Sequence, residues 1–178
     1  MDIPVPDGDD PRWTRRGGII VRRNEGVTKW MQGDTFTVKL TKEQSNGSLG
    51  FVQATVPPGS GPIAHAHGDE DEAFFVQSGE LEILNGDETS LIGPGDFVFI
   101  PRNTRHRYRN IGLHHASMLV ILTPAGHETG FIEIGEEPQP GVPVPPPFDP
   151  SRDDAFGSLP LEGLNEWFEQ QNLTMLPE

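Results

Sequence analysis

Short apolar, β-branched runs recur along the chain, separated by turn residues. They occupy residues 18–22, 35–41, 49–56, 73–77, 81–84, 97–100, 106–110 and 117–123. Their length and composition predict strands, because β-branched and aromatic side chains pack well on a pleated surface. The dividers Asn46-Gly47, Pro57-Pro58-Gly59, Asn85-Gly86 and Gly93-Pro94-Gly95 supply the fixed or left-handed backbone that tight turns need. Asn85-Gly86, lying between two alternating runs, marks a hairpin. Many antiparallel strands at short spacing predict an all-β sandwich or barrel.

The pattern differs at both ends. Residues 1–16 are polar and carry Pro4, Pro6, Gly8 and Pro11, which oppose regular structure and predict an extended arm. After Thr123 the strand pattern stops. Residues 138–147 are proline-rich and read as a segment extended over the surface. Leu161, Leu164, Trp167 and Phe168 then recur at helical spacing, with Ser158 and Pro160 as start signals, predicting a short amphipathic helix packed on the barrel or on a second subunit. The organisation expected is an arm over 1–16, a barrel over 17–125 and a C-terminal extension over 126–178.

Composition sharpens this picture. With 21 Gly and 18 Pro the chain suits many turns better than long helices. No cysteine is present, which excludes a disulfide framework, a zinc finger, an iron–sulfur cluster and a thiol nucleophile. A metal site must then be built from carboxylates, water and the six histidines. Lys and Arg number 13 against 27 Asp and Glu, a net charge of −14, which argues against nucleic acid and anionic membrane as partners. Eleven acidic side chains and one basic side chain fall in residues 126–178, so the charge describes the extension more than the barrel. The N-terminal stretch has Asp7, Asp9 and Asp10 and no apolar run. It is read as neither a signal nor a transit peptide, and the protein is expected in the cytoplasm.

Candidate chemistry lies in two of the runs. His65 and His67 are two residues apart, so in a strand their imidazoles share a face. Glu72 shares a face with Phe74 and Val76; an inward carboxylate is costly unless paired, protonated or bound to a cation. His106 shares its face with Tyr108 and Asn110, while Arg105, Arg107 and Arg109 take the outer face, where they can pair with surplus carboxylates. A His-x-His pair alone is more often packed or exposed than liganded. Three histidines and a glutamate together make a mixed nitrogen–oxygen site for one divalent transition metal, whether Fe, Mn, Ni, Co, Cu or Zn. Phe51, Phe74, Val76, Tyr108, Met118 and Val120 are the candidate walls of a cavity for a flat, apolar, oxygenated molecule. Phe97 and Phe99 are read as barrel filling. His114, His115 and His127 are read as loop residues at the surface.

The full strings Gly59-x5-His65-x-His67-x4-Glu72-x6-Gly79 and Gly95-x5-Pro101-x-Asn103-x2-His106-x3-Asn110 resemble the two signature motifs of the cupin superfamily. Asn103 stands where that family usually has glycine, and asparagine is the residue next most tolerant of a left-handed backbone. The resemblance implies a double-stranded β-barrel of jelly-roll type, open at one end, with a metal held by His65, His67, Glu72 and His106. Residues 62–67 and 122–131 are similar to the bacterial single-domain cupins related to quercetin 2,3-dioxygenase. That similarity implies a metal-dependent dioxygenase acting on a flavonol-like or polyketide-like small aromatic molecule, with the substrate as an enolate at the metal and Glu72 as base. The same residues could serve an O₂-independent cyclase, isomerase or decarboxylase, or a non-catalytic small-molecule-binding protein. A homodimer is the family-level expectation.

Overall fold

A computed structural model describes residues 18–147, 149 and 161–176. The arm read over 1–16, the start signals Ser158 and Pro160, and the side chains of Leu161 and Leu164 lie outside the described residues. The strands are β1 (Val27–Met31), β2 (Asp34–Leu40), β3 (Gly50–Val56), β4 (His65–His67), β5 (Asp71–Ser78), β6 (Leu81–Asn85), β7 (Glu88–Ile92), β8 (Phe97–Ile100), β9 (His106–Asn110), β10 (Ala116–Thr123) and β11 (Leu173–Met175). Among the described residues three helices join them: α1 (Lys42–Ser45), α2 (Glu128–Ile134) and α3 (Leu161–Gln170).

The strands form two antiparallel sheets, in the orders β1-β2-β3-β10-β5-β8 and β11-β4-β9-β6-β7. Their inner faces share one core. Val52, Val56, Val76, Met118 and Leu122 come from the first sheet and Leu81, Ile83 and Tyr108 from the second. Each large apolar side chain so enclosed contributes roughly 1.5–3 kcal/mol relative to exposure. This is the jelly-roll architecture implied by the sequence motifs.

Local chemistry explains the turns. Gln32 and Gly33, with φ of 52° and 83°, turn β1 into β2 in the doubly left-handed form that matches strand twist. Asn85 pairs with Glu88 across the Gly86-Asp87 turn, so the hairpin expected at Asn85-Gly86 is present. Asn103 has φ of 63°, and its N–H donates to the carbonyl of His67 at 2.7 Å. It thereby ties the β8–β9 turn to a strand bearing two histidines.

Several expectations change. Residues 18–22 form no strand, and Ile19 and Ile20 are exposed. Phe97 and Phe99 do not fill the barrel; they are 60 % and 50 % exposed. The β5–β8 register sets Phe74 opposite Val98 and Glu72 opposite Ile100, so Val98 and Ile100 turn inward and the phenylalanines point out with Phe75. The C-terminal extension packs on its own barrel: β11 pairs antiparallel with β4, Leu173 facing His67 and Met175 facing His65.

Candidate metal centre and cavity

His65 on β4 lies directly opposite His106 on β9, and Glu72 reaches the same point from β5 in the facing sheet. His106 Nε2 is 2.7 Å from Glu72 Oε2, and His67 Nε2 is 3.5 Å from the same oxygen. The ring centroids of His65 lie 5.0 Å from His67 and 4.5 Å from His106. The ligand atoms of all four residues fall within 4.8 Å of one another.

Each imidazole is oriented through its other nitrogen. His65 Nδ1 lies 2.7 Å from Ile63 O, His106 Nδ1 2.9 Å from Thr104 O and His67 Nδ1 3.1 Å from Glu70 Oε1. With Nδ1 donating to these acceptors, every Nε2 presents a lone pair. At His106 that lone pair meets a carboxylate oxygen at 2.7 Å. Two acceptors this close require a positive charge between them, either an added proton or a cation held by both. The donor set therefore fits a divalent metal ion, with His65, His67, Glu72 and His106 as the residues that could hold it.

Without such an ion the site's charges are strongly coupled. Burial alone would raise Glu72, but hydrogen bonds from His106 and His67 outweigh it and hold the carboxyl well below its usual range. Burial opposes charge on His67 too, yet its bonds to Glu70 and Glu72 raise it to about 9. His65 is held well below its ordinary value by burial and by its neighbours His106 and His67.

Above the centre opens a cavity of about 680 Å³ including its mouth. Phe74, Tyr108 and Val120 line it; Val76 and Met118 do not, being sealed in the core below. Phe51 is absent from the wall because Val52, Ala54 and Val56 are the inward positions of β3. The remaining wall comes from segments the strand pattern did not bring together. Met31 and Asp34 come from the β1–β2 hairpin, His127 and Phe131 from α2 and its cap, Trp167 from α3 and Met175 from β11.

Three buried polar residues in or beside this wall escaped the sequence reading. Asp34 is 1 % exposed and accepts from Ser60 Oγ at 2.6 Å and from Tyr108 OH at 2.8 Å. Burial pushes its carboxyl up to about 7, against the opposing effect of those two donors. Glu70 is buried beside His67. His127, expected at the surface, is 7 % exposed, its ring centroid 4.5 Å from that of His67. Burial, and then the charge on His67, lower it to about 3. Only its place within residues 122–131 hinted at this. His114 and His115 are exposed as expected. Arg107 pairs with Glu82 at 2.9 Å on the outer side.

Two facing antiparallel sheets with a three-histidine, one-glutamate cluster at the open end define a cupin. The family model described as "Cupin domain" matches residues 52–122. Protein SchB of Streptomyces halstedii is 30 % identical over 112 residues, 62 % of this chain and 81 % of that protein. The chain belongs to the cupin superfamily. It is also similar to quercetin 2,3-dioxygenase of Bacillus subtilis (strain 168), at 26 % identity over 133 residues, 74 % of this chain but only 37 % of that protein. Among solved structures, the polyketide cyclase RemF from Streptomyces resistomycificus superposes with a TM-score of 0.53 at 18 % identity, covering 60 % of this chain and 80 % of that one. Among the described residues no helix is long and apolar enough to cross a membrane.

Proposed function

We propose that the protein is a metal-dependent dioxygenase of a small aromatic molecule of flavonol-like or polyketide-like chemistry. The observation that carries this reading is Glu72, a buried carboxylate whose Oε2 stands 2.7 Å from His106 Nε2, at the floor of a cavity walled by Phe36, Phe74, Phe131 and Trp167. A bound divalent ion would supply Lewis acidity to a substrate oxygen. The chain's own residues do the rest. Glu72 Oε2 carries both imidazole contacts, which leaves Oε1 to receive the proton of a substrate hydroxyl. The aromatic walls hold a flat ring system and exclude water from the resulting anion. The similarity to quercetin 2,3-dioxygenase supports the substrate class.

Oxygen-electrode traces with quercetin and protein loaded with each candidate metal test this reading. Uptake is expected with the wild type and not with Glu72→Gln that retains its metal. No uptake with any metal that fills the site would sink it.

One observation favours a second reading, an O₂-independent cyclisation, isomerisation or decarboxylation. Asp34, raised to about 7 by burial and accepting from Tyr108 in the same cavity wall, is an acid–base group to which the dioxygenase reading gives no role. Product formation under strict anaerobiosis separates the two readings. Binding without turnover, unaffected by Glu72→Gln, marks a non-catalytic binding protein. A cytoplasmic homodimer belongs to the same proposal. The outward side chains Phe75, Phe97 and Phe99 on one sheet support association between copies, which light scattering measures.

A further inference from the structure

We infer that the C-terminal segment, residues 167–175, is a seated wall of the cavity that grips the part of an aromatic ligand lying beyond the metal centre and so sets which ligands the site selects. The inference rests on the reading of the cavity as a site for an aromatic, oxygenated molecule, and it adds the element that recognises that molecule.

Strand register brings the segment to the centre. Leu173 pairs with His67 and Met175 with His65. Side chains of directly paired residues stand on one face, with Cβ atoms about 4.5–5.5 Å apart. Leu173 and Met175 therefore stand beside the two imidazoles of β4, and both line the cavity; Thr174 between them is exposed. Trp167 and Phe168 of α3 line the same cavity, while Asn165, Glu166, Glu169 and Gln170 are exposed. None of these four apolar side chains belongs to the core shared by the two sheets, so their apolar surface serves the cavity. The ring of Trp167 lies 6.4 Å from that of His127, which in turn lies 4.5 Å from that of His67. The indole thus stands one ring removed from the imidazoles of the centre, where it can meet a second ring of a flat ligand in offset or edge-to-face contact.

Two glycines seat the segment. A Cβ added to Gly68 would stand 2.2 Å from Asn172 Nδ2, and one added to Gly130 would stand 2.9 Å from Trp167 Cζ2. Neither glycine has the left-handed backbone that calls for the residue, and Gly130 lies within α2, where glycine is a poor helix former. What each supplies is room for the segment. Hydrogen bonds then fix it. The Gly68 N–H donates to the Asn172 carbonyl at 2.8 Å and the Leu176 N–H to the Ala64 carbonyl at 2.7 Å, while Asn172 Nδ2 donates to Asp69 Oδ1 at 2.8 Å.

The test is equilibrium dialysis of metal-loaded, full-length protein against two probes with the same chelating hydroxyketone. They are 3-hydroxyflavone and 3-hydroxypyran-4-one, which lacks the two further aromatic rings. The wild type should prefer 3-hydroxyflavone by at least about tenfold. Gly130→Ala, which favours α2 but unseats the indole, and Trp167→Ala, which removes it, should each cut that preference about tenfold, a loss of about 1.4 kcal/mol, through weaker binding of 3-hydroxyflavone with metal content unchanged. Gly68→Ala should lower the preference in the same direction. Adding Asn172→Gly, which clears the space and accepts the φ of 47° found there, should restore it; this pair stands in for a variant that does not fold. An unchanged preference in either Gly130→Ala or Trp167→Ala, no preference in the wild type, no binding of either probe, or loss of metal in Gly130→Ala each overturns the inference. Oxygen uptake with an unchanged preference in the variants overturns the wall and leaves the dioxygenase reading in place. The expected preference, lost in the variants but without oxygen uptake in the wild type, supports the wall and counts against the dioxygenase reading alone.

Discussion

Titrating Asp34 probes the cavity wall without knowledge of the substrate. Its carboxyl is 1 % exposed and is raised from 3.8 to about 7, with burial as the largest cause. In the unfolded chain it loses its proton near 3.8; in the fold it keeps that proton until about 7. Between those values the native state binds more protons than the unfolded one, so stability falls as the pH rises. The contribution is fully present below 3.8 and lost once the pH passes about 7. Three pH units at roughly 1.4 kcal/mol each give on the order of 4 kcal/mol.

Asp34→Asn removes the titration. Urea unfolding of both proteins, freed of metal and measured from pH 4 to 9, gives the difference in stability, in which the histidines common to both largely cancel. The wild type should lose on the order of 4 kcal/mol relative to the variant across that range, mostly below neutrality. Tyr108→Phe deletes a donor that lowers the Asp34 value and should move the transition to higher pH. A stability difference flat in pH would refute the burial argument.

The metal centre makes its own demands. His65→Ala or His106→Ala should abolish metal retention by elemental analysis, since each removes an imidazole from the four-residue cluster; full metal content in both would place the site elsewhere. Glu70→Gln replaces the carboxylate that orients His67 and should weaken metal affinity about 10–100-fold in chelator competition. An unchanged affinity would remove Glu70 from that role. Gly61→Ala places a Cβ 2.1 Å from the Tyr108 carbonyl at a φ of +149° and should destabilise the fold by about 3 kcal/mol, read as a drop in the unfolding midpoint. Wild-type stability in that variant would mean that the 57–64 loop yields freely.

Strand alternation was legible wherever one face of a strand is buried. It grouped Glu72 with Phe74 and Val76, and His106 with Tyr108 and Asn110, and the structure buries all six side chains. Alternation has a period of two, so it groups residues by face without naming the inner face. Phe97 and Phe99 illustrate the gap, because the register of β8 against β5 turned them outward. Phe51 failed for the same reason. The three-residue β4 and β11 were too short to carry a pattern of their own.

The sequence by itself determined a turn-rich, cysteine-free chain of short strands and the two motifs that bear three histidines and a glutamate, since spacing within a strand fixes which side chains share a face. Tertiary structure decided what stands above that cluster. Asp34, His127 and Trp167 line the cavity from the β1–β2 hairpin and two helical segments, and Glu70 stands beside His67 from a turn. The docking of the two helical segments brings His127 and Trp167 to that wall, and contacts between residues so far apart in the chain leave no periodic trace in it.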